Sequence, residues 1–222
     1  MNRLLIIHPK DVTTQFLNSI WSFLLEQFDD KISLYNIAFT DDEHSLVLKE
    51  ISNFDGDNIL FLGHGTSTSL KGAKNEIYSK EIFIGKNDLE IFKNKNVLSF
   101  SCKSIDFFRY VKNFSYIGFD DIPSDMDEVL GAREFENTIY ENVDKEIIEE
   151  FKGKLIRIIG NSVFDWLIDD YDIKRVYNRI RIRINKEIVN VLRTKQSIEK
   201  KKAMLNLLND LKKNMGYNCL QY

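Results

Sequence analysis

Two short stretches carry side chains suited to nucleophilic catalysis. In "ILFLGHG" an apolar run ends in His64 and Gly65; in "VLSFSCKS" another ends in Ser101 and Cys102, 38 residues beyond the histidine. A thiolate is a strong nucleophile, and an imidazole can take its proton or protonate a leaving amine. The first stretch continues as "GHGTSTSLKG", which raises a second chemistry, a phosphate-cradling loop. It lacks both G-x-G-x-x-G and a Walker lysine, and no apolar periodic helix follows to aim its N-terminus at a phosphate. The absence of G-x-S-x-G also excludes a hydrolase with a serine elbow. His8, His44 and Cys219 are scattered, with neither H-E-x-x-H nor C-x-x-C, so the expectation is no metal and no cofactor. They read as a strand-end histidine, a helix-start histidine and a terminal packing residue.

The elements that must position such a pair are legible from periodicity. Strands are expected at Leu4–His8, Ile32–Ile37, Ile59–Gly63, Val97–Ser101 and Tyr116–Phe119, alternating with helical patterns as in β-α-β units. One helix lies in "TTQFLNSIWSFLLEQF" behind a threonine cap, and a shorter one spans 42–52 with Leu46, Leu48 and Ile51 as its apolar positions. In an open parallel sheet, reacting groups gather outside the carboxyl ends of the strands. Strands ending at His64 and Cys102, if adjacent, therefore present imidazole and thiol side by side. Thr66–Lys80 between them is polar and long for a connection inside a compact domain.

Beyond Phe119 the texture turns acidic ("DDIPSDMDE") and then helical. Ile139, Val143, Ile147, Phe151 and Leu155 recur four apart, although "KLIRII" leaves a sixth strand open and Asn161–Ser162 reads as a capped helix start. The stripe Ile173, Val176, Ile180, Ile184, Ile188 and Val191 predicts a helix through "RIRIRI", which also alternates at period two. A last Lys-rich amphipathic helix is expected over 196–215.

The paired motifs resemble the caspase-like fold of cysteine proteases, and most closely the bacterial CHAT-domain proteases. The resemblance rests on His64-Gly65 and Ser101-Cys102 in that order at two strand ends, an intervening helix, and the following strand "FSYIGFDD". It covers about residues 1–170 as a protease domain; residues 171–222 form a basic helical C-terminal extension packed on the same domain. It implies an α/β, three-layer sandwich with a mostly parallel sheet of five or six strands. The activity it implies is that of an endopeptidase with a His64–Cys102 dyad and no obligatory third residue. The backbone N–H groups of Gly65 and Cys102 would form the oxyanion hole, a device whose loss typically costs about 2.7–4 kcal/mol. Asp120 and Asp121, near the strand after the nucleophile, would receive a basic P1 side chain. The partners implied are a protein or peptide substrate and a regulatory protein, in a cytoplasmic signalling or antiviral defence setting. Thr66–Lys80 would be the gate on which that regulator acts.

Composition bounds these readings. The 222 residues, 43% hydrophobic, suffice for one domain with a sizeable core, and no run of 18 apolar residues occurs, so no membrane association is expected. The net charge of −3 is unevenly spread: Lys174–Tyr222 holds thirteen Lys/Arg against three Asp/Glu. Those helices either lie against their own acidic domain or meet an acidic partner. The alternative function is an inactive caspase-like binding module that engages a partner protein or nucleic acid through Arg179, Arg181, Arg183, Lys200, Lys201 and Lys202.

Overall fold

The computed structural model describes residues 3–134 and 138–220. Five short apolar runs form parallel strands, one after another, as β-branched and leucine-rich segments buried on both faces do. In chain order the elements are β1 (Leu4–Ile7), α1 (Asn18–Phe28), β2 (Ile32–Tyr35), α2 (Asp41–Asn53), β3 (Asn58–Leu62), a two-residue pair β4 (Ser69–Leu70) and β5 (Ile84–Gly85), and β6 (Asn96–Phe100). There follow α3 (Ser104–Phe108), β7 (Ser115–Gly118), α4 (Met126–Glu134), α5 (Lys145–Asp169), α6 (Ile173–Arg193), α7 (Ile198–Asn214) and β8 (Gly216–Asn218). The sheet order is β2-β1-β3-β6-β7-β8, with β8 alone antiparallel to its neighbour.

Strand periodicity divides the core in two. Leu4, Ile6, Leu60, Leu62, Leu98, Phe100 and Ile117 point to one face, packed under α1, α5, α6 and α7. Leu5, Ile7, Ile59, Phe61, Val97 and Tyr116 point to the other, under α2 and α3. Each fully buried aliphatic or aromatic side chain contributes about 1.5–3 kcal/mol. Helical layers on both faces of a mostly parallel sheet are compatible with a three-layer sandwich. No helix among the described residues is long and apolar enough to cross a membrane.

Several local expectations are corrected. The sixth strand is β8, from the C-terminal "GYN", while "KLIRII" lies inside the 25-residue α5. Asn161 and Ser162 do not cap a helix there: their side chains donate to the Arg157 and Ile158 carbonyls one turn back, which lets both sit mid-helix. The real break comes at Asp170, in the left-handed region at φ 50°, and Asp172 caps α6 through the Arg175 N–H. In α2 the buried face is His44, Val47 and Ile51, and Leu46 is 54% exposed. The entry to α1 is a 3-10 turn at Gln15–Leu17 whose Thr14 makes no side-chain cap bond. Helix α6 does run through "RIRIRI"; the period-two run leaves Ile182 57% exposed while Ile180 and Ile184 are buried.

The C-terminal helices belong to the same core, through Ile180, Ile184, Met204, Leu207 and Leu208. Part of their positive charge faces acids of α5: Arg183 pairs with Asp165 at 2.6 Å, and Lys200 with Glu146. The stretch Thr66–Lys80 is no unstructured loop. Its backbone is tied by Thr66 to Ser69, Lys71 to His64, Gly72 to Lys80 and Lys74 to Lys10. His44 clamps it further: Nδ1 meets the Thr40 carbonyl at 2.8 Å and Nε2 accepts from the Ala73 N–H at 3.2 Å.

Candidate functional site

Strands β3 and β6 are neighbours in register, with Leu62 opposite Phe100 as the last pair. His64 and Cys102 each lie two residues past that pair, on strands about 4.8 Å apart. The Gly63 N–H donates to the Phe100 carbonyl at 3.3 Å and carries the pairing one step further. Both residues line one small cavity of about 20 Å³, together with Thr14, Phe16, Leu17 and Ile122. That is room for about one water molecule. The turn after β6 is held by Ser104, which is fully buried: its hydroxyl lies 2.8 Å from the Ser101 carbonyl and accepts from the Phe119 N–H at 2.9 Å.

Gly65 is required by space. A Cβ there would sit 2.6 Å from the Cys102 carbonyl oxygen and 2.9 Å from Ser101 Oγ, and its φ is not positive. The bonds that tie the two turns come from the N–H groups of Thr66, Lys71 and Lys103, leaving those of Gly65 and Cys102 outside them.

The His64 ring is anchored on its Nε2 side. Thr13 Oγ1 lies 2.6 Å from Nε2, and Asp11 Oδ1 lies 3.4 Å away. Asp11 accepts from the Thr13 N–H at 2.8 Å and from the Thr13 hydroxyl at 2.6 Å. Burial pushes the Asp11 carboxyl up, but the Thr13 hydrogen bonds and the His64 ring outweigh it and hold the group below its usual range. Neither Asp11 nor Thr13 was singled out by sequence reasoning. The available signal was an Asx turn, "DVT", a few residues after a strand that neighbours the histidine strand.

The Cys102 thiol is held by the backbone of the turn after β7. It accepts from the Ile122 N–H at 3.4 Å and donates to the Ile122 carbonyl at 3.6 Å. Burial pushes it up to about 12; the Ile122 N–H opposes this, the Glu128 and Asp121 carboxylates add to it, and Lys103 opposes it weakly. The thiol is thus protonated at neutral pH in this arrangement. Lys103, at φ 54°, reaches Asp120 at 2.7 Å and Asp121 at 2.8 Å. Both carboxylates are therefore already paired. With about a third or more of each side chain exposed, each pair is worth about 0–1 kcal/mol.

Beside His64 opens a cleft of about 710 Å³ lined by Asp11, Thr13, Gly65, Lys71, Glu76 and Asp125, among others. Its size is that of a ligand or peptide site. Asp120 and Asp121 do not line it. Among the described residues, no group of three His, Cys, Asp or Glu is placed to hold a metal ion. Compared with known protein families and with characterised proteins, the chain matches none.

Proposed function

We propose that the protein is a cysteine endopeptidase of caspase-like, CHAT-related type, held in a resting arrangement. The observation that carries the reading is the placement of His64 and Cys102 at equivalent positions beyond the ends of adjacent parallel strands, lining one cavity beside a large cleft. In the reaction His64 takes the Cys102 proton and the sulfur attacks the peptide carbonyl carbon. The N–H groups of Gly65 and Cys102 stabilise the oxyanion. His64 then protonates the leaving amine, and water releases the acyl group from sulfur, restoring the thiol.

The thiol's bonds to Ile122 are a contact that a regulatory partner would release to raise the basal reactivity. Reaction requires release of the Ile122 contacts and admission of substrate to a cavity with room for about one water. The paired state of Asp120 and Asp121 gives a basic P1 side chain a competitor, Lys103, which it must displace.

The same thiol geometry favours a second reading, an inactive caspase-like module whose basic C-terminal helices engage a partner. The two are separated by covalent capture. A panel of peptidyl chloromethyl ketones, varied at P1, is incubated with the wild-type chain and with Cys102→Ala and His64→Ala. The protease reading expects a mass adduct on Cys102 that is lost in both variants. No adduct with any probe, or an adduct equally strong in His64→Ala, favours the binding module.

A further inference from the structure

The Thr13 hydroxyl stands between two partners, 2.6 Å from Asp11 Oδ1 and 2.6 Å from His64 Nε2. A hydroxyl has a single proton to give. Asp11 is ionised and accepts only; an oxygen–oxygen contact of this length without a shared proton would be repulsive. The Thr13 proton therefore goes to Asp11, and at its other contact the hydroxyl oxygen accepts. His64 Nε2 must then carry a hydrogen, and in a neutral imidazole that leaves Nδ1 with the free lone pair.

We propose that Asp11, acting through Thr13, positions His64 in its Nε2–H tautomer, so that Nδ1 is the atom that takes the Cys102 proton. The catalytic half of this rests on the dyad reading above; the tautomer half does not. Asp11 and Thr13 are positioning residues that act through the ring. The carboxylate side chain is only 9% exposed and lies 3.4 Å from Nε2, so it also stabilises the imidazolium formed when the proton arrives. Its own place is fixed from outside the strand. Asp11 bridges Lys74, whose N–H donates to the Lys10 carbonyl at 2.8 Å. The polar segment after Gly65 thus holds the group that orients the histidine.

The chain has three histidines, so 15N-histidine NMR resolves them, with His64 assigned by its absence from His64→Ala. The wild type and Thr13→Ser, which keeps the hydroxyl, should show a dominant Nε2–H tautomer at His64. Thr13→Val and Asp11→Ala, which removes the acceptor, should show a mixture. Iodoacetamide labelling of Cys102 should slow in Thr13→Val in proportion to the Nε2–H population lost and recover in Thr13→Ser. Thr13 is exposed, so its variants keep the fold, which far-UV circular dichroism checks. A His64 that is Nδ1–H in the wild type, or unchanged in Thr13→Val, overturns the proposal even where His64→Ala slows labelling. Labelling unaffected by His64→Ala, with the tautomer still scrambled in Thr13→Val, overturns the proton-acceptor role and the dyad with it.

Discussion

Replacing Gly65 by alanine probes the close approach on which the site depends. The added Cβ would lie 2.6 Å from the Cys102 carbonyl oxygen, about 0.8 Å short of ordinary contact at 3.4 Å, and the Ser101 hydroxyl would stand at 2.9 Å. The nearest atom is backbone at a strand end, so relief requires the turns after β3 and β6 to separate. Overpacking of this kind costs about 1–3 kcal/mol. For a chain of this size each kcal/mol shifts Tm by about 2–4 °C, so the expected fall is about 2–12 °C. Gly153→Ala supplies the control. Gly153 lies within α5, where the nearest atom to an added Cβ is the far end of Arg157 at 3.8 Å, so the variant should gain about 0.5–1 kcal/mol from helix propensity alone. Differential scanning fluorimetry on both variants decides the matter. A Gly65→Ala variant that melts with the wild type would refute the close approach, and a fall in both variants would refute the distinction between them.

Other consequences follow from buried groups. Ser104→Ala leaves the Phe119 N–H without its acceptor at the end of β7, and urea unfolding should show a loss of about 1–3 kcal/mol; a loss below about 0.5 kcal/mol would contradict the staple. His8 is 2% exposed, and burial lowers its pKa to about 4. A histidine depressed in the folded state contributes stability above its unfolded value of 6.5 and loses it as the pH falls toward about 4, here by about 3 kcal/mol in all. His8→Gln, which keeps an acceptor for the Trp21 indole N–H, should flatten the acid side of the stability profile in that window; an unchanged slope would show that another group causes it.

The sheet was legible because its strands are runs of Leu, Ile, Val and Phe buried on both faces, as "LLII", "NILFL" and "NVLSF" are. Their limits shifted by a residue or two, because apolar content continues past the last ladder bond. The sixth strand was not legible. "GYN" is three residues with no alternating apolar pattern, and only its register against Tyr116, Ile117 and Gly118 makes it a strand. The helical segments misled where local chemistry has two outlets: Asn161 and Ser162 cap helices in many contexts, yet here each returns a hydrogen bond to its own helix. At the site, the histidine and cysteine were visible because each follows an apolar strand. Asp11 and Thr13 were not, since their relation to His64 spans 51 residues or more and depends on β1 lying beside β3. The orientation of the Cys102 thiol toward Ile122 is set by the turn after β7, which no pattern in the sequence announces.

The proposed dyad requires that His64 and Cys102 act on one another. Its most direct test is the rate of iodoacetamide labelling at Cys102 relative to Cys219, read by peptide mass spectrometry in the wild type and in His64→Ala. A thiol held at about 12 labels slowly in absolute terms, so the ratio between the two proteins is the quantity that decides. Labelling of Cys102 should fall by about tenfold or more on loss of the imidazole while Cys219 is unchanged. Equal rates at Cys102 in the two proteins would contradict it.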